Sequence, residues 1–521
     1  MTIVLNRPRT ALLRRDDSVS LPSTEELLAA GGDARIAIDP RTGANRYGCS
    51  PRPDSEIAAF GSSTASTVSP AGFTAADRLR DRLLDAAGRE TPSLTYAREL
   101  GRLRGELADL CGLSDLAGLA TVFAASGTDL HLFAAQLLGG ADPLAVMVEP
   151  AETGSGVAAA LAGRHVSSCT AFGDALRQGA VIAGDAIEVT AVPCRAADGS
   201  PRPAALVDAE TVALVTRAAA MGRRVLLTLV DVSKTGLIAP SPARALALRD
   251  RLPDSVELLV DACQFRLAPA SLRAYLEHGF MVALTGSKFL TGPAFSGALL
   301  VPAATARLLR GVALPPALRH YAARADWPDG WAAAASLGDR VNYGMLLRWE
   351  VALDELRRFR AVPEAETAAI LDAFARAIET RLRADPALAP LAVPALAGRR
   401  LPAAASWDHI QTIFPFLLRR RHGVGATGFL DPGETAEIHG LLGVDASALI
   451  GLGAARGATA SLRCEIGQPV AGGNREGNPV AALRLCASAR LVTEASAHGV
   501  AGIIDRAMAA LDKTALLAAS V

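Results

Sequence analysis

The stretch from Leu258 to Pro302, LLVDACQFRLAPASLRAYLEHGFMVALTGSKFLTGPAFSGALLVP, constrains this chain more than any other. An apolar run ends at Asp261, a helical segment follows, and a second apolar run delivers Lys288. The pattern reads as strand, helix, strand and loop, about one βαβ unit. A carboxylate and a lysine at such strand ends converge on one site, because ligands of open α/β sheets sit outside the carboxyl ends of the strands. A lysine amine condenses with a carbonyl, and a carboxylate holds a proton on a nearby base. Alone, an aspartate at a strand end serves as a cap or turn residue, and a lysine in a glycine-rich loop is a solvated charge. The two together, with Gln264 in phase and a Gly/Pro pattern after the lysine, are informative.

VDACQ followed by LTGSKFLTGPAFSGALLV resembles the fold-type-I pyridoxal phosphate (PLP) enzymes, specifically the class V aminotransferase and cysteine desulfurase group. That group shows a D-A-x-Q strand end, then an S-G-x-K loop with downstream Gly-Pro and Gly-hydrophobic runs. The resemblance implies Lys288 as the Schiff-base lysine and Asp261 as partner of the pyridinium nitrogen. It also implies Gln264 as a hydrogen-bond partner of the 3-hydroxyl, and Thr285 as a phosphate contact. The group usually has histidine before the lysine, where this chain has Ser287. The resemblance spans about residues 75–490 and is specific over 258–302. The fold class it implies is α/β. A three-layer α/β/α large domain with a mostly parallel sheet, PLP-dependent transferase-like, is joined to a smaller α+β C-terminal domain. The expected boundaries are 1–74 for an N-terminal arm and small-domain segment, 75–340 for the large PLP-binding domain and 341–521 for the small domain.

Composition excludes several other classes. Lys+Arg and Asp+Glu are each 53 in 521 residues, so the chain has no net charge with which to attract nucleic acid or an anionic membrane. No apolar run approaches the ~18 to 20 residues that span a bilayer. Residues 1–15 are basic without a following apolar region, which predicts no secretory signal and a cytoplasmic protein. The seven cysteines are dispersed, with no C-x-x-C, which predicts reduced thiols and no metal site. No G-x-G-x-x-G opens a βαβ unit and no G-x-x-x-x-G-K-[ST] is present, which disfavours nicotinamide and nucleoside triphosphate sites.

Other candidates follow in chain order. Ser23 caps an expected short helix, and the Gly/Pro/Ser-rich stretch 36–70 reads as an arm. That arm carries Asn45, Arg46, Tyr47 and the run Ser62-Ser63-Thr64; Tyr47 is a candidate substrate contact. Helical spacing covers 74–87 and 96–110. TVFAASGTDLHLFAAQLLGG reads as strand, turn and helix from about Asp129, and the free first amides of a helix favour an anion. Ser126, Gly127 and Thr128 are ordinary capping residues on that spacing; the resemblance implies a cofactor-phosphate role for all three. The expected ring-stacking residue is missing from Glu149 to Gly154, and His131 and His165 receive no role. VLLTLVDVSKTGLIAP reads as a buried strand closing in a Ser-Lys-Thr-Gly turn. Asn342 either caps a helix or, by the resemblance, lies in the segment that reaches the neighbouring subunit's phosphate. HIQTIFPFLLRR, ATASLRCEIGQPV and AALRLCASARLV read as strands, followed by one final helix over 493–518. The A-L-R-L-C pattern at Arg484 resembles the strand that grips the substrate α-carboxylate, a task suited to a planar fork; Arg463 competes on an adjacent strand.

The function expected is therefore PLP-dependent chemistry on an amino acid or amine, with aminotransfer first and carbon–sulfur or other β-elimination second. No cysteine lies between Cys263 and Cys464 to serve as a desulfurase nucleophile. A non-catalytic binding dimer of the same fold is the reading from another class. A homodimer is implied by the resemblance.

Overall fold

The computed structural model describes residues 20–140, 142–399, 401, 406–421, 427–448 and 454–520. The basic segment 1–15 lies outside them. Among the described residues no helix is long and apolar enough to cross a membrane.

The strands Leu144–Val148, Val225–Asp231, Val256–Ala262 and Met281–Thr285 are buried along their whole length. Strands with apolar side chains on both faces need cover on both, which only a sheet between two helical layers provides. They lie parallel to one another, with Glu188–Val192 beyond Leu144–Val148 at one edge. Gly297–Val301 runs antiparallel between Met281–Thr285 and the other edge strand, Ala120–Ala124.

Side-chain alternation sorts these strands into two cores. Leu258, Val260, Val282 and Leu284 pack on one face with the helix Tyr343–Ala361. Leu259, Ala283 and Leu299 pack on the other against Leu130, Phe133 and Leu137 of the helix Gly127–Leu138. Asp261 is in phase with Leu259, so the alternation aims it at that second helix.

The second sheet follows the order Ala58–Phe60, Cys464–Arg475, Asn478–Cys486, Ile413–Arg421, Leu388–Pro390. Ala58–Phe60 enters it parallel to Cys464–Ile466, so the N-terminal arm supplies a strand to the C-terminal sheet. Three sequence expectations fail here. Residues 458–461, read as the start of a strand, belong to the helix Ala454–Ser461, and the strand begins at Cys464; residues 489–492, read as the end of another strand, open the helix Ala489–His498. Small residues in GATAS carry no clear period, so helix and strand were equally compatible with them. The single helix expected over 493–518 is two, Ala489–His498 and Val500–Ala518, parted by Gly499 at φ +88. A left-handed backbone there ends the first helix and turns the chain into the second.

Candidate active site

The cavity between the two sheets has a volume of about 350 Å³, within the ~300–1,000 Å³ typical of small-ligand sites. Its wall includes Ser126, Gly127, Thr128, Asp261, Gln264, Thr285, Lys288, Tyr47 and Arg484. Register explains the convergence. Asp261 pairs with Ala283, and Ala262 with Leu284, so the parallel strands end together and their loops open on the same side.

Lys288 is half-buried, and its amine donates to the Thr64 carbonyl. Burial, with Arg484 nearby, pushes the ammonium down to about 8. A lysine so held is a usable nucleophile and base near neutral pH. Two glycines let its loop fold tightly. A Cβ on Gly286 would stand 2.4 Å from the Ala352 Cβ, and one on Gly292 would stand 2.8 Å from the Gly286 carbonyl.

Asp261 meets a residue to which the sequence reading gave no role. His131 Nδ1 lies 2.8 Å from the Gly127 carbonyl, and Nε2 lies 3.3 Å from Asp261 Oδ2. The Gly127 carbonyl is an acceptor, which places a hydrogen on Nδ1, and the nearby Asp261 carboxylate favours a second one on Nε2. Burial opposes the charge this second proton brings, but Asp261 outweighs it and raises the imidazole pKa. In return, against the same burial, His131 and the Cys263 amide hold the Asp261 carboxyl below its usual range. His131 stands four residues after Gly127, one helical turn, on the face that meets the strand bearing Asp261.

The helix Gly127–Leu138 opens into the cavity with its first amides. Ser126 accepts from the Asp129 amide at 3.2 Å, and Asp129 accepts from the Ser126 amide at 3.0 Å, a reciprocal cap. Burial and Asp33 push the Asp129 carboxyl up to about 7, so its negative charge at this helix end is only partly developed at neutral pH. A Cβ on Gly127 would come 2.8 Å from Cys263 Sγ and 3.0 Å from Thr285 Cγ2. The space is kept by the absence of a side chain. Thr285 donates to the Cys263 carbonyl at 2.6 Å, and the Ser287 hydroxyl lies 3.3 Å from that of Thr285.

The arm run Ser62-Ser63-Thr64 ties the two halves together. The Ser63 carbonyl accepts from Gln264 Nε2 at 3.1 Å, and the Thr64 hydroxyl accepts from Arg484 Nη2 at 2.9 Å. Arg484 is 2 % exposed and also donates to the Gln468 carbonyl at 2.6 Å and the Lys234 carbonyl at 3.2 Å. It lies opposite Gly467, where a Cβ would meet Arg484 Nε at 3.0 Å.

Two sequence candidates have other roles in the chain. Arg463 forms a bidentate pair with Asp54 at 2.6 and 3.1 Å and is not part of the cavity wall. Asn342 caps the helix Tyr343–Ala361 by accepting from the Met345 amide, and its Nδ2 donates to the Gly31 carbonyl, both at 2.9 Å. Its side chain is committed at both ends, and it too is absent from the wall.

Val232 and Phe295 in the wall, Phe265 after Gln264, and Thr291 after Lys288 all have positive φ, from +52 to +75. Non-glycine residues in this region cost about 1–3 kcal/mol each and persist where the surroundings over-determine them. Such strain gathers at functional sites.

No family model and no curated protein matches the chain. Solved structures do. One is a complex of the cystine C-S lyase C-DES with its reaction product cysteine persulfide, at TM-score 0.50 and 16% identity, covering 87% of this chain and 98% of that one. Another is a lysine-to-alanine variant of C-DES with glycine covalently linked to its PLP cofactor, at TM-score 0.52 and 15% identity, covering 87% and 97%. The chain has the fold of these PLP-dependent enzymes.

Proposed function

We propose that this protein is a PLP-dependent enzyme acting on an amino acid or amine, with aminotransfer as its reaction. The observation that carries the reading is a half-buried lysine amine, pushed down to about 8, in the same cavity as a carboxylate that lies 3.3 Å from a buried imidazole. The cradle fits the cofactor's phosphate: the first amides of the helix, the hydroxyls of Thr128, Thr285 and Ser287, and a glycine at 127 that lets Cys263 and Thr285 pack against the helix end. Lys288 would hold the cofactor covalently, and Asp261 would face its ring nitrogen. The cofactor, when bound, supplies an electron sink for a substrate carbanion.

The chain's own groups divide the remaining work. The Lys288 amine would be the base that takes the substrate's α-proton. Asp261 would hold a proton on the ring nitrogen, and His131 favours the charged form of Asp261. Arg484 lines the cavity with no carboxylate paired to its guanidinium among the described residues, and it would receive a substrate carboxylate. The arm residue Tyr47 lines the same cavity and would contact the substrate.

Elimination at a carbon–sulfur bond is the second reading, supported by the reaction named for C-DES. Against a persulfide-forming branch, Cys263 lines the cavity with its thiol held well above the usual value by burial and by Asp261. A homodimer is part of the proposal, since sites of this fold are commonly completed across subunits.

The test is direct. Wild-type protein mixed with PLP should develop a visible absorbance band, and borohydride reduction should fix the label on the peptide containing Lys288. Protein that stays colourless, or a label on another lysine, would sink the reading. Amino-group exchange between an L-amino acid and a 2-oxo acid, against release of ammonia and pyruvate from cystine, decides between the two reactions. Gly127→Ala is expected to weaken PLP uptake about tenfold, since over-packing costs about 1–3 kcal/mol. Absorbance titration measures it, and unaltered affinity would remove the phosphate from this helix end.

A further inference from the structure

Lys234, in the Ser-Lys-Thr-Gly turn, lines the cavity and has no hydrogen-bond or ion-pair partner for its amine among the described residues. Its backbone is pinned on both sides. The Lys234 amide donates to the Glu152 carbonyl at 2.9 Å, and its own carbonyl accepts from Arg484. Two unneutralised cations therefore stand side by side in one wall, and the exposed Arg46 opens onto the same space.

The acids in reach are already satisfied. Glu152 accepts from Arg195 Nε at 2.6 Å, from Ser233 at 2.6 Å and from Thr235 at 2.8 and 2.7 Å. Asp261 faces His131, and Asp33 chelates Arg35 at 2.9 and 2.7 Å. Burial, with Arg484 beside it, pushes the Lys234 amine down to about 8, a sign that the protein supplies too little negative charge there. A half-buried lysine amine that faces a ligand cavity without an anionic partner is suited to receive a ligand's anion. An α-carboxylate at Arg484 neutralises one of the two.

We propose that the substrate is an amino acid bearing a second anionic group on its side chain, and that Lys234 is the specificity-determining residue that receives this group. The inference rests on the amino-acid reading above and adds the substrate's charge class to it. The flanking hydroxyls of Ser233 and Thr235 both go to Glu152, which fixes the turn and leaves the Lys234 amine as its free polar group.

The experiment is calorimetric binding of unreactive acids, comparing each diacid with the monoacid of equal chain length: succinate with butanoate, and glutarate with pentanoate. Wild type should bind at least one diacid about 10- to 100-fold tighter than its monoacid, the range of one charge-assisted contact. Lys234→Met should shrink that preference to within about threefold, while Lys234→Arg keeps most of it. Equal affinity for diacid and monoacid in wild type at both lengths would overturn the proposal whatever the variants do, and so would a full preference surviving in Lys234→Met. PLP uptake, read separately by absorbance, keeps the two readings apart. A diacid preference in protein that takes up no PLP leaves the anion site standing and removes the enzyme assignment. PLP uptake without the preference does the reverse.

Discussion

Lys288→Met should yield cofactor-free protein more stable than wild type at pH 7 and essentially inactive. In the folded chain the amine is pushed down to about 8 from its usual 10.5. Between those values the unfolded chain binds the proton more readily than the folded one, so wild-type stability rises with pH across that window and the penalty is full below it. At 1.36 kcal/mol per unit the penalty is roughly 3 kcal/mol. Losing the hydrogen bond to the Thr64 carbonyl offsets about 1 kcal/mol of the gain, so the methionine variant should gain about 2 kcal/mol at pH 7. Urea unfolding at pH 7 and again near pH 11 measures it, and the difference between the proteins should narrow at the higher pH. A variant less stable than wild type at pH 7 would show that the amine is not under a burial penalty. The same substitution removes both nucleophile and base, so turnover should fall by on the order of 10³-fold or more.

The residue combination behind that prediction was legible because it depends on local pattern. Val256–Ala262 and Met281–Thr285 are short buried runs, and each carries a polar residue, Asp261 or Thr285, at or next to the end where a parallel sheet places its ligands. His131 was not legible. Its role requires the helix Gly127–Leu138 to lie under a strand about 130 residues further along, a juxtaposition made by packing in the second core. The period-2 phase of Asp261 with Leu259 tells which face the carboxylate takes, but not which helix covers that face. Lys234 was read as part of a turn, and only the fold shows that Glu152 absorbs its neighbours and leaves the amine free. Arg463 immediately precedes one strand and Arg484 lies within its paired neighbour, and the two look alike in sequence. The break in register between Gly467 and Val470 and the approach of the arm give Arg484 to the cavity and Arg463 to Asp54. The second helix boundary at Gly499 and the helix over 454–461 fell to weak periodicity in small residues.

Asp261→Asn should cost both activity and stability, with a pH signature that separates the two. The carboxyl is held below its usual 3.8 and the His131 imidazole above its usual 6.5. The Asp261 contribution is present above pH 3.8 and is lost as pH falls through the depressed value. The His131 contribution is present below pH 6.5 and is lost as pH rises through the raised value. Their overlap places the pair's full contribution at mildly acidic pH. Asparagine keeps the shape and removes the charge, leaving His131 to deprotonate or to stand as an unpaired buried cation. Breaking a buried pair costs about 3–5 kcal/mol at most, and loss of the proton caps it nearer 2 kcal/mol here. Denaturation at pH 5.5 and pH 9 should show the gap between wild type and variant closing as pH rises. A gap independent of pH would mean that His131 is neutral and that Asp261 is held by hydrogen bonds alone. On the proposed reaction, the lost charge also releases the proton from the ring nitrogen it faces. One truncated, desolvated charge contact costs about 2–5 kcal/mol, which sets the fall in turnover at about 10²- to 10³-fold. A variant within tenfold of wild type, still taking up PLP on Lys288, would mean that the carboxylate serves the fold and not the chemistry.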